Sequence, residues 1–187
     1  MIPAIGLGQE PPGGDALKRP PRGHRGRLLD APLILRSYLF LGLLEAFWAM
    51  FMLFLALHIG GWRYGSVLPP DSALYRGATG VTLVAVVFAQ IGNLIGRRYE
   101  TRSGLDSGLL RNRLLAIGIT LELAFAWSAL YWRPLSSALG TGPVASWLFC
   151  LAALGAPLLF FTDYARKRFA TGKPQAGAVV VSPLPIR

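Results

Sequence analysis

The sequence is short of nearly everything that chemistry in water requires. Of its 187 residues only 15% are charged, against about a quarter in a soluble domain. A single cysteine, Cys150, excludes an internal disulfide framework and a thiolate metal cluster. The two histidines, His24 and His58, fall on opposite sides of the apolar segments and cannot form one site. There is no Walker-type glycine loop, no H-E-x-x-H pair and no G-x-S-x-G elbow, so soluble catalysis has no residues to stand on. Acids number 9 against 19 Lys and Arg, for a net charge of +10. Such an excess would suit nucleic acid, but 53% hydrophobic residues and a mean hydropathy of +0.46 argue against a solvated basic surface, and no nucleic-acid partner is expected.

What is present is apolar sequence gathered into blocks. Four segments reach the roughly 20 residues that a helix needs to cross a hydrocarbon core: Ser37–Ile59, Gly77–Gly96, Arg113–Trp132 and Val144–Asp163. The pieces between and around them are 36, 17, 16, 11 and 24 residues long. Chains below about 40 residues seldom fold alone, so no soluble domain fits among them. The expectation is an all-α, integral membrane bundle of four helices whose solvent is the lipid bilayer.

Sixteen of the 19 bases lie before the first span, between the second and third or at the third's first residue, Arg113, or after the fourth, while Arg63, Arg76 and Arg133 lie in the other two connections. The excess of bases on the cytoplasmic side of membrane proteins then places both termini in the cytoplasm, with the plasma (inner) membrane as the expected location. Trp62, Tyr64, Tyr75, Tyr131, Trp132 and Trp147 gather at the opposite ends as an interfacial belt. Met1–Gly8 has no basic n-region, so a signal peptide is not expected. The division is a proline-rich connector over 1–36, a transmembrane domain over 37–169 and a disordered tail over 170–187.

The informative residues are the polar ones within the spans: Glu45 in the first, Gln90 and Asn93 in the second and Glu122 in the third. Glu45 is eight residues from the basic end of its span and Glu122 nine from its own; Gln90 and Asn93 are six and three residues from Gly96. At 1.5 Å per residue, three of the four lie about 9–14 Å deep. A charged side chain at the bilayer centre costs roughly 2.5–3.5 kcal/mol, so such groups face protein or water. They serve either as hydrogen-bonding glue between helices or as part of an ion or proton path. Gly92 and Gly96 form a G-x-x-x-G pair that lets another helix come close. Pro157 beside Gly155 marks a kink. Asp163 with Arg166 and Lys167 reads as a surface ion pair at helical spacing. The basic loops will also attract anionic headgroups.

The order of these segments resembles a known family. Pro3-Ala4-Ile5-Gly6-Leu7-Gly8, Pro11-Pro12 and Lys18-Arg19-Pro20-Pro21-Arg22 look like the end of the sixth membrane helix and the following loop of P-type cation-transporting ATPases. Val87-Phe88-Ala89-Gln90-Ile91-Gly92-Asn93 looks like their eighth helix, and Asn112-Arg113-Leu114-Leu115 through Glu122 like the start of the ninth. Gly140-Thr141-Gly142-Pro143, Trp147 and Asp163 with Arg166-Lys167 look like the last loop and the tenth helix. The resemblance spans about residues 3–169.

It implies helices seven to ten of a pump and a transported cation as partner. It also implies roles for Gln90 and Asn93, and for Glu122, as contributors to the ion site. Gln90 is an amide where calcium pumps have a carboxylate, and it brings no charge to a divalent ion. Glu45 has no counterpart role. The D-K-T-G phosphorylation motif and the nucleotide-binding and actuator domains of such pumps do not occur in this sequence. The chain alone is therefore expected to bind no cofactor and to hydrolyse nothing. ATP and magnesium would act only through the missing domains, and the pump core of helices one to six is the expected partner. Three readings stay open: the C-terminal piece of a longer or split pump, a free-standing accessory subunit or small carrier, and an inactive gene fragment.

Overall fold

The computed structural model describes Gly8, residues 35–98 and residues 112–170. Every described element is helical. A wide π-helical stretch, Leu35–Leu41, leads into α1 (Gly42–Ile59). Then come α2 (Ala73–Arg97), α3 (Arg113–Tyr131), a short α4 (Arg133–Leu139), α5 (Ser146–Ala153) and α6 (Gly155–Ala170). Four helical stretches are long and apolar enough to cross a membrane: Leu39–Ile59, Ala73–Arg97, Arg113–Tyr131 and Ser146–Phe169. The expectations for the connector before Leu35 and for the tail after Ala170 lie outside the described residues, as do those for 99–111.

Local signals set the helix ends. The Ser72 hydroxyl accepts from the Tyr75 N–H at 3.2 Å, and Asn112 Oδ1 accepts from the Leu115 N–H at 3.1 Å. Each thus satisfies an amide at a helix start that has no partner within the helix. The Ser72 cap starts the second span four residues before the expected Gly77, and the last helix runs seven beyond the expected Asp163. The loop expected after Trp132 contains α4, entered through an extended Trp132 with proline in its first turn. It closes at Gly140, whose φ of +66° is a left-handed cap that a side chain would strain.

The helices run up and down around α2. The far ends of α1 and α3 and the near ends of α2 and α5 meet in one cluster, which includes Ala56, Leu57, Ala78, Val81, Leu130 and Val144. A second cluster, Val87, Ile91 and Ala126, joins α2 to α3. Half of the apolar stretch of α2 is buried, against 22% for α1 and 28% for α3, so α2 is the axis and its neighbours turn broad faces outward. At the belt end, the Thr79 hydroxyl donates to Gly140 O at 2.8 Å and the Thr141 hydroxyl to Ala129 O at 2.5 Å. Arg76 Nε donates to Thr141 O at 3.2 Å, which holds the α4–α5 connection against the first turn of α2.

The fourth span is broken. Pro157 has no N–H for the carbonyl four residues earlier, and the helix opens at Leu154, whose own N–H turns back to Leu151 O at 3.1 Å. The indole of Trp48 on α1 donates to Ala152 O at 3.2 Å and gives a carbonyl at the break a partner from another helix. Interhelical hydrogen bonds in membranes contribute about 1 kcal/mol. Trp48→Phe should therefore lower unfolding stability in mixed micelles by about that amount, with helix content unchanged by circular dichroism.

Candidate functional site

Three spans bring their polar side chains to one place. On α2, Gln90, Asn93 and Arg97 follow at intervals of three and four and share a face. Gln90 and Arg97 are exposed, and Asn93 is half-buried. Arg97 Nε donates to Asn93 Oδ1 at 2.9 Å. From α1, the half-buried Glu45 comes beside Gln90, with Arg97 and Glu122 within electrostatic reach. Glu122 enters from α3, also half-buried. The four polar residues singled out in the sequence thus lie along one seam, with α2 as floor and α1 and α3 as walls. Among the described residues, the walls pack on α2 but scarcely on one another.

Arg97 is the member that sequence reasoning placed only in a basic loop. Its position four residues after Asn93, on the helix and not beyond it, was the available signal. Chemically, the seam offers, among the described residues, two carboxyls and two amides within the apolar length of the bundle and the Arg97 guanidinium at its basic end. That set can bind a positive charge or a donor-rich group. Among the described residues, no three His, Cys, Asp or Glu side chains come together to hold a metal ion.

The back of α2 is built differently. A Cβ on Gly92 would lie 2.1 Å from the backbone oxygen of Ala156, so α6 touches the α2 main chain there. One turn on, Gly96 faces Asp163, and the carboxylate takes Lys167 Nζ and an Arg166 guanidinium nitrogen at 2.9 Å each. Lys167 also donates to the Gly96 carbonyl at the end of α2. Asp163 is 2% exposed and Lys167 6%. This corrects the surface ion pair expected from helical spacing. The pair is buried because α2, bare of side chain at Gly96, closes over it.

The family model described as "Cation transporting ATPase, C-terminus" matches residues 1–169. The chain belongs to this family. Similar proteins include the human potassium-transporting ATPase alpha chain 2, 27% identical over 90% of this chain and 19% of its own length. Another is the rat calcium-transporting ATPase type 2C member 2, 29% identical over 74% of this chain and 14% of its own length. The chain spans about a fifth or less of the curated relatives it matches. As a member of the cation-transporting ATPase C-terminal family, with four helices able to span a bilayer, it is an integral membrane protein. The relatives are named as ATPases; what matches them here is their C-terminal membrane region.

Proposed function

We propose that this chain is the C-terminal transmembrane subdomain of a P-type cation pump. It would supply Gln90, Asn93, Glu122 and Glu45 to a cation path that the remaining helices complete. The observation that carries this reading is the convergence of Glu45, Gln90 and Glu122 from three spans inside the apolar length of the bundle. Intramembrane carboxylates are costly and mark ion or proton routes by default. Helices dedicated only to packing need nothing beyond small residues such as those on the α6 side of α2.

Two relatives carry potassium and calcium in their names, so the cargo class is an inorganic cation. Phosphoryl transfer, with ATP and magnesium, would belong to other domains. The basic end of the bundle, with Arg97, Arg98, Arg113, Arg166, Lys167 and Arg168, would face the cytoplasm and the aromatic end the opposite side. The plasma (inner) membrane is the proposed location.

The test is transport by the chain reconstituted with a pump core of helices one to six and the catalytic domains. Glu122→Gln should weaken apparent cation affinity about tenfold, equivalent to about 1.4 kcal/mol, while the complex assembles unchanged on size exclusion. Unchanged affinity would return Glu122 to a packing role. Cation flux through the purified chain alone in liposomes would replace the subdomain reading with that of a small carrier.

A further inference from the structure

The two halves of the fourth span are held to α2 by different means, and the break at Leu154 separates them. At the belt end, Arg76 and Thr79 of α2 donate to the backbone oxygens of Thr141 and Gly140, which fixes the connection into α5. Past the break α6 must find its own place, because Pro157 offers no N–H across the gap and the Leu154 N–H turns back to Leu151 O. The surface of α2 that receives α6 carries Ala89, Gly92 and Gly96, three and four residues apart, on one face and all buried. Where Ala156 lies against Gly92, its backbone occupies the place of a side chain. Gly96 offers the same bare backbone four residues, or about 6 Å, further on, whereas Ala89 has a methyl in the way. Packing alone thus allows α6 two seats on α2, with Ala156 at Gly92 or at Gly96.

We infer that the buried Asp163–Lys167 pair is a register key that selects the first seat, and that both are positioning residues for the end of α2. Lys167 Nζ meets Asp163 Oδ2 at 2.9 Å and donates to the Gly96 carbonyl, with Asp163 2% and Lys167 6% exposed. A buried ion pair adds little stability over well-packed apolar side chains, and its best-attested use is to fix register. Here the pair has a height to read. The carbonyls of a helix's last turn lack partners within the helix, and Gly96 is the last residue but one of α2. Carbonyls further up belong to the helix ladder, so the ammonium finds its acceptor at this end. With Ala156 moved on to Gly96, Lys167 would be carried past that carbonyl and the contact would be lost. The turn so held carries part of the proposed site, since Arg97, next to Gly96, donates to Asn93 Oδ1. Only this last step, from the held turn to the cation path, rests on the function proposed above.

The test reads register apart from stability. In the full chain with Cys150→Ser, spin labels are placed through Tyr75→Cys near the start of α2 and Ala165→Cys on α6, both exposed positions. Their separation is measured in lipid nanodiscs by pulsed dipolar spectroscopy. The chain with its ion pair intact should give one distance. Asp163→Leu with Lys167→Met should add a second, about 6 Å longer, because α6 moves one turn away from the belt end, while helix content is unchanged. Gly96→Ala added to those two substitutions should remove the longer distance, since its methyl fills the second seat. A single distance in the double variant overturns the key, as does a longer one that survives Gly96→Ala. Lys167→Met alone leaves Asp163 its contact with Arg166 and carries the same expectation should the double variant fold poorly. In the chain reconstituted with a pump core, the double variant should weaken apparent cation affinity about threefold. A second distance with unaltered affinity overturns the positioning role and keeps the register key. Glu122→Gln reads the path itself, so unaltered transport there, together with two distances in the double variant, would remove the transport role and leave the register key standing.

Discussion

Gly92→Leu is expected to separate the fourth span from the second. The first atom of any side chain at this position would sit 2.1 Å from the Ala156 carbonyl oxygen, and the overlap is with backbone, which no rotamer change relieves. Overpacking a well-fitted site ordinarily costs about 1–3 kcal/mol, and more where the main chain itself must move. In lipid, no hydrophobic gain between helices compensates, since the tails are as apolar as leucine. The loss should therefore reach about 3 kcal/mol or more in mixed-micelle unfolding. It should be accompanied by release of the Asp163–Lys167 contact with Gly96, because the two lie one turn apart on the same interface. Gly77→Ala, in the same helix, is the internal control. Its new methyl would meet only the Pro143 oxygen at 3.7 Å, an ordinary contact, and stability should hold or rise slightly with the better helix former.

Asp163→Ala is the second large effect. It strips the carboxylate from Lys167 in a place where the ammonium is 6% exposed and no longer free to reach water. Breaking a buried pair by removing one partner costs about 3–5 kcal/mol, whereas replacing both by apolar residues of similar volume is often neutral. The Asp163→Leu, Lys167→Met double variant should accordingly recover most of what the single variant loses. Arg166 is the more exposed of the two cations, with 24% of its side chain accessible, and it can turn outward when Asp163 is lost. Mixed-micelle unfolding of the single and double variants checks both halves. Equal losses in the two would mean that Asp163 holds α2 through something other than the lysine.

Much of the architecture could be read from the chain because the membrane simplifies the problem. A run of about 20 apolar residues has few alternatives to a spanning helix, and the first and third spans end within a residue or two of where hydropathy places them. The start of α2 moved because a side chain acts on the backbone there, the Ser72 hydroxyl capping its first turn. The seam was partly legible, since depth along each helix follows from 1.5 Å per residue and places Glu45, Gln90 and Glu122 at similar heights. Rotation about each helix axis does not follow from depth. Only the packed bundle shows that Glu45 turns toward Gln90, and that Asp163 turns away from solvent into the groove beside Gly96. The helix-period signal is also weak in lipid, where the outward face is as apolar as the inward one. The many exposed side chains of α1, Leu43, Phe47 and Phe54 among them, look like core residues in sequence.

The tie between Trp48 and the broken fourth span has a consequence in time. The indole and the Ala152 carbonyl that it serves are separated by 104 residues. At synthesis rates of about 5–20 residues per second, the donor precedes the carbonyl by roughly 5–20 s. The first span can thus already lie in the bilayer when the break arrives, and the last helix is threaded against a waiting partner. A chain with this order can tolerate a proline inside its final span, since the group that repairs the break has been inserted before it is needed.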